Sequence, residues 1–186
     1  MRVDSRTTLR ALAFGLACAT AALAGVEPPP PVAACAAAPR PCIEARRGKL
    51  KLDLTKRRFA WQWAARNVVA LRDIESPTIG HAGYDLCLYD ASGMVVMASG
   101  VPSGELCNGR PCWQARAWGY QYRDAGARSF GLTKITLKVA AGRNDKLSVA
   151  GQGALLPLPA AAPTAPLTGQ LVRSDDPTRC WTATRR

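Results

Sequence analysis

The sequence predicts an all-β protein, an antiparallel β-sandwich of immunoglobulin-like or jelly-roll-like type, stapled by disulfides. Three observations lead there. Apolar and polar residues alternate with a period of two in one segment after another, as half-buried strands require because successive side chains leave opposite faces. Turn-forming residues separate these segments at short intervals, the punctuation of sandwiches and barrels. An even set of cysteines follows an N-terminal stretch that reads as an export signal, the usage expected of an oxidising compartment.

That stretch spans residues 1–24. Arg2, Arg6 and Arg10 give a basic opening, Ala11 to Ala24 carries no charge, and Ala22-Leu23-Ala24 before Gly25 is a small-x-small cleavage site. The apolar run is shorter than the roughly 20 residues that span a bilayer, and no later segment reads as a span. Secretion or a periplasmic location follows. The alternative is a lipid anchor at Cys18, in Gly15-Leu16-Ala17-Cys18, although Gly15 stands where a bulky aliphatic residue is usual.

Residues 25–40 read as a Pro/Ala-rich linker, stiffened by Pro28 to Pro31. The domain is expected over 41–186. Leu50, Leu52 and Leu54 alternate with Lys49, Lys51 and Asp53, and Phe59, Trp61 and Trp63 alternate with Arg58, Ala60 and Gln62. Asp90-Ala91-Ser92-Gly93 turns Tyr84–Tyr89 back along Met94–Ala98, with Asp90 bonding the following amides. Trp118, Tyr120 and Tyr122 share one face of a later strand. Ile135, Leu137 and Val139 make the clearest amphipathic strand, joined through Gly142-Arg143-Asn144-Asp145 to Leu147–Val149. Four prolines between Leu155 and Gly169 mark a connection or an edge, and Gln170–Arg173 and Cys180–Thr184 close the fold. Ala64 to Asp73 is the one short helical candidate.

Six cysteines remain after cleavage: Cys35, Cys42, Cys87, Cys107, Cys112 and Cys180. Fifteen pairings are open. Joining near neighbours gives Cys35 with Cys42 and Cys107 with Cys112, leaving Cys87 with Cys180. A metal site is not expected, because there is no Cys-x-x-Cys and His81 is the only histidine. No cofactor is implied.

The whole chain carries a formal net charge of +12. Cleavage removes three Arg and one Asp, leaving 22 basic and 12 acidic residues and a net +10. From Arg40 to Arg58 eight cations, Arg46, Arg47, Lys49, Lys51, Arg57 and Arg58 among them, face only Glu44 and Asp53. Such a cluster attracts polyanions: nucleic acid, lipopolysaccharide, sulfated glycan. A solvated face that serves only solubility explains the same residues without a partner.

Taken in order, Lys49–Asp53, Phe59–Trp63, Tyr84–Asp90, Pro102–Trp113, Gly119–Asp124 and Arg179–Trp181 resemble a recurrent, uncharacterised cysteine-containing β module of bacterial secreted proteins. The likeness covers most of residues 35–186. It implies a compartment and domain boundaries, and brings no catalytic residue or ligand with it.

No catalytic constellation stands out. His81 lies in a Pro/Gly loop without a nucleophile elbow. Asp73 with Glu75, or Asp85 with Asp90, are the carboxylate pairs to consider for acid–base work. Asp73 and Glu75 could also serve a loop calcium site, but no repeated Asp-x-Asp spacing supports one. Cys107-Asn108-Gly109-Arg110-Pro111-Cys112 would make a rigid tip presenting Arg110, or simply a stapled turn. Trp118, Tyr120 and Tyr122 form a stripe suited to stacking on a ligand. The expectation is a non-catalytic exported module, binding or structural, whose partner is a cell-envelope polymer, a glycan or another polyanion. Electrostatic binding through residues 40–58 is the second reading, and a small carboxylate-dependent hydrolase the third.

Overall fold

The computed structural model describes residues 34–80, 82–139 and 144–185. The export segment, Cys18, His81, the 140–143 part of a predicted turn and Arg186 lie outside the described residues.

Fourteen short elements follow one another: β1 (Ile43–Glu44), β2 (Arg47–Asp53), β3 (Arg58–Arg66), α1 (Leu71–Ile74), β4 (Tyr84–Tyr89), β5 (Val95–Val101), β6 (Leu106–Cys107), β7 (Arg110–Pro111), β8 (Trp113–Arg116), β9 (Gly119–Arg123), β10 (Leu132–Lys138), β11 (Asn144–Gln152), β12 (Leu167–Arg173) and β13 (Cys180–Arg185). They form a sandwich of a five-stranded sheet, in the order β1-β13-β12-β4-β5, and a six-stranded sheet, in the order β2-β3-β11-β10-β9-β8. β6 and β7 pair separately as a small hairpin. Every pairing is antiparallel except that of β1 with β13, which is parallel. Ala64–Arg66 continues β3, so among the described residues helix is confined to the single turn of α1.

The period of two becomes two layers. Phe59, Trp61, Trp63 and Ala65 of β3 point inward, with Ile135 and Leu137 of β10 and Leu147 and Val149 of β11 beside them. Tyr84, Leu86, Leu88, Leu171, Trp181 and Ala183 meet them from the five-stranded sheet. Two indoles also cross between layers as donors. Trp61 Nε1–H bonds the Gly169 carbonyl at 3.1 Å and Trp63 Nε1–H bonds the Ile43 carbonyl at 2.9 Å. A buried indole N–H without an acceptor is costly, so these bonds fix the relative position of the sheets as well as their spacing. Trp61 fits only because residue 169 is glycine: a Cβ there would stand 2.5 Å from Trp61 Cδ1.

The cysteines pair differently from the near-neighbour expectation. Cys35 bonds Cys87, Cys42 bonds Cys180, and only Cys107–Cys112 joins the predicted partners. Seven residues of extended chain reach up to about 23–25 Å, far more than the 5–6 Å between Cα atoms that a disulfide tolerates. Residues 35–42 cross the outer face of the five-stranded sheet and are fixed at both ends, Cys35 to β4 and Cys42 to β13. Gln170 completes the attachment, accepting from the Arg40 amide at 3.1 Å and donating to the Arg40 carbonyl at 2.7 Å. This corrects the linker boundary. Ala34 is 2 % exposed and packs with Cys87, Tyr89, Val172 and Cys180, so the folded unit begins by residue 34, not 41.

Replacing Gly169 by Ala is expected to cost about 1–3 kcal/mol, the usual penalty of overpacking, read from urea unfolding. Cys42→Ser with Cys180→Ser should cost about 2–5 kcal/mol, because that bond closes the longest loop. Non-reducing peptide mapping that recovered a Cys35–Cys42 peptide would overturn the pairing.

Candidate anion-binding face

With one outer face of the sandwich under the 34–42 segment, the outer face of the six-stranded sheet is the open one. Its composition follows from the strand registers. One cross-strand row reads Lys51, Ala60, Ala150, Lys134, Arg123. Two residues along, the next reads Lys49, Gln62, Ser148, Thr136, Gln121, Gln114. Two further along come Arg47, Ala64, Lys146, Lys138, Gly119, Arg116. Arg58 sits between Asp53 and Gln152 at one end, and Arg66 opposite Asn144 at the other.

Ten cations therefore share one face: Arg47, Lys49, Lys51, Arg58, Arg66, Arg116, Arg123, Lys134, Lys138 and Lys146. Lys138 is half-buried and the other nine are exposed. Asp53 is the only acid among them, and its carboxylate accepts the Lys56 amide at 2.9 Å. The ion pairs among the described residues lie elsewhere, joining Arg128 to Asp124, Arg173 to Asp175, and Arg179 to Asp73 and Asp176. At about 3.4 Å per residue and 4.8 Å per strand, the two cationic rows stand about 14 Å apart and the face is about 24 Å wide. Alanines 60, 64 and 150 lower the floor between the charged side chains. An open depression of about 1070 Å³ lies over Lys51, Arg58, Ala60, Ala150 and Gln152, and continues around the sheet edge to Arg185. Another of about 270 Å³ lies between Lys49, Gln62, Ala64, Lys138 and Lys146.

Of the cations singled out in the sequence, Arg47, Lys49, Lys51 and Arg58 belong to this face. Arg57 does not, because its guanidinium is spent on main-chain carbonyls: Gly153 at 3.2 Å, Ala154 at 3.1 Å and Leu156 at 2.7 Å. Arg46 is exposed just before β2. Arg110 is exposed on β7 of the stapled hairpin, which Glu105 and Asn108 tie to the domain through Tyr122 Oη–H (2.8 Å), the Ser129 hydroxyl and Arg128 (3.2 Å).

Of the aromatic stripe, Tyr120 and Tyr122 face inward on β9, and Trp118 lies in the turn between β8 and β9. Tyr122 is fully buried, its ring 5.2 Å from that of Trp113, and Trp118 and Tyr120 are half-buried. No ligand can stack on Tyr122 without opening the core. The two residues between them on the strand, Gly119 and Gln121, are the ones that reach the basic face. Arg116, Arg123, Arg66, Lys134, Lys138 and Lys146 went unassigned in the sequence because they lie far from the 40–58 cluster and only strand pairing gathers them. The alternation of Lys134 and Lys138 with Ile135, Leu137 and Val139 was the available signal.

Of the carboxylates considered for acid–base work, Asp73, Asp85 and Asp90 have structural partners, and Glu75 is exposed. Asp73 accepts the Ala70 amide at 2.7 Å and pairs with Arg179 at 3.1 Å. Asp90 accepts the Ser92 and Met94 amides of its turn. Asp85 is buried beneath residue 34, whose amide it accepts at 3.2 Å. Burial pushes its carboxyl above the ordinary value of 3.8, against the opposing hydrogen bonds from Ser174 and Ala34. Among the described residues, no three His, Cys, Asp or Glu side chains are grouped to hold a metal ion.

No protein-family model matches the sequence, and neither a curated protein nor a solved structure matches it.

The Asp85 environment sets a pH dependence. With its folded value raised, the native chain holds a proton that the unfolded chain has released, so stability falls as pH rises from 3.8 through the folded value. Asp85→Asn is expected to raise the melting temperature relative to wild type at pH 7, with the advantage shrinking toward pH 4. An equal difference at both pH values would contradict the assignment.

Proposed function

We propose that this chain is a non-catalytic module of an extracellular or periplasmic compartment that binds anionic polymers on the outer face of its six-stranded sheet. The observation that carries this reading is the gathering of ten cations, from six strands, onto one face with a single acid. A face that served only solubility would mix both signs, since interspersed charge solubilises without self-repulsion. Like charges held this close repel one another and oppose folding. A polyanion relieves that repulsion and releases its own counterions as it binds. Export is supported by the three disulfides, which persist in oxidising compartments. Among the described residues no helix is long and apolar enough to cross a membrane.

Dextran sulfate is a suitable probe, with uncharged dextran as the control. Binding should fall by about three orders of magnitude or more between 50 and 200 mM salt if six or more anionic groups are engaged. Lys134→Ala, Lys138→Ala, Lys146→Ala and Arg123→Ala combined should abolish binding and flatten the salt slope. A second fourfold variant (Lys56, Arg72, Arg110 and Arg179 to Ala) makes the same change in net charge away from the two cationic rows. Equal losses in the two variants would show that net charge, not this face, is responsible.

A further inference from the structure

We infer that the polymer this face receives is an acidic polysaccharide, not a nucleic acid, and that it lies across the strands along the middle row, whose centre and β8 end are uncharged, between the two cationic ones. The inference rests on the preceding reading and adds the chemical class. Its first ground is the row itself. Gln62, Ser148 and Thr136 stand side by side on β3, β11 and β10, the centre of the sheet, with cations on either side. All three are half-buried, and among the described residues their side-chain polar atoms make no hydrogen bond within the protein. Each carries both a donor and an acceptor. At the end of the row, the Gln121 and Gln114 oxygens already accept from Arg123 (3.1 Å) and Arg116, which leaves their NH₂ groups to donate outward. A ligand laid here must offer groups that donate as well as accept, or the acceptors of the central three lose water without replacement, at a cost. Sugar hydroxyls do both. Phosphodiester oxygens only accept.

The second ground is what the face presents instead of rings. Its outward positions hold Lys, Arg, Gln, Asn, Ser, Thr, Ala, Gly and Asp53, and no aromatic residue. Surfaces that hold single-stranded nucleic acid stack bases on aromatic side chains. Here Tyr120 and Tyr122 lie on the opposite side of β9, and Trp118 sits in the turn before it. The charge on either side of the row then engages sulfate or carboxylate groups projecting from the chain, while the central amide and hydroxyls engage its hydroxyl groups.

The test compares dextran sulfate, a single-stranded oligonucleotide and a DNA duplex at one salt concentration, against wild type and two uncharged variants. One variant is Gln62→Ala alone. The other combines Gln62→Ala, Ser148→Ala and Thr136→Val. The inference expects dextran sulfate to bind wild type more tightly than either nucleic acid. It expects the triple variant to lose about tenfold or more for dextran sulfate, with an unchanged salt slope, and Gln62→Ala to lose a smaller factor in the same direction. Nucleic-acid binding should not change. Tighter binding of either nucleic acid, or equal losses for all three probes, overturns the glycan assignment and leaves the anionic face standing. If wild type binds none of the three, the preceding reading falls with it.

Discussion

A two-layer sandwich has two outer faces, and in this protein a pair of disulfides decides the fate of one of them. Cys35–Cys87 and Cys42–Cys180 hold the 35–42 segment against the five-stranded sheet, burying Ala34, Tyr89 and Val172 on the side away from the main core. Every residue of β4 is therefore buried, on both sides of its sheet. Among the described residues, the six-stranded sheet has no such cover. Its strands keep strict alternation, as the burial of β3 and β11 displays at nearly every position. What the second sheet can present to a partner follows from what the first is denied.

Energetically the two sheets do different work. The covalent bonds restrict the unfolded chain, with loops of 52 and 138 residues closed. The tryptophans of β3 contribute buried area and two directional bonds between the layers. These gains stand against the repulsion among unpaired cations on the open face. A sandwich of this size without staples would have less margin to tolerate such a face, since net stability is a small difference between large terms.

The architecture was readable because alternation is a local property. Phe59 to Trp63 or Ile135 to Val139 each declare a strand without knowledge of its neighbours, and Asp90 declares its turn. The cysteine pairing was not local. Cys35 and Cys42 are close in sequence, but each is tied to a different strand, Cys35 to β4 and Cys42 to β13, and nothing local in the sequence announces those strands as partners. The basic face was legible only in its first part. Arg47, Lys49, Lys51 and Arg58 cluster along the chain, whereas Lys134, Lys138, Lys146, Arg116 and Arg123 join them only through the register of β3 with β11 and of β9 with β10. Arg57 shows the converse failure: it sits inside the sequence cluster, yet three carbonyls claim its guanidinium. Of the stripe of Trp118, Tyr120 and Tyr122, the two tyrosines share one side of β9 and Tyr122 is fully buried, while Trp118 lies in the preceding turn; period two alone does not say which side is inside.

The strands at the two borders of the six-stranded sheet, β2 and β8, are among those that bear these cations. Charged borders discourage sheets from adding to one another edge to edge. On the proposed reading, the same lysines and arginines would both guard copies of the chain from one another and receive the polymer. Once a long polyanion neutralises them, the guard is withdrawn, and neighbouring molecules bound to one strand of polymer are free to crowd shoulder to shoulder. On that reading, a polyanionic matrix would gather such molecules into clusters instead of being decorated by isolated copies.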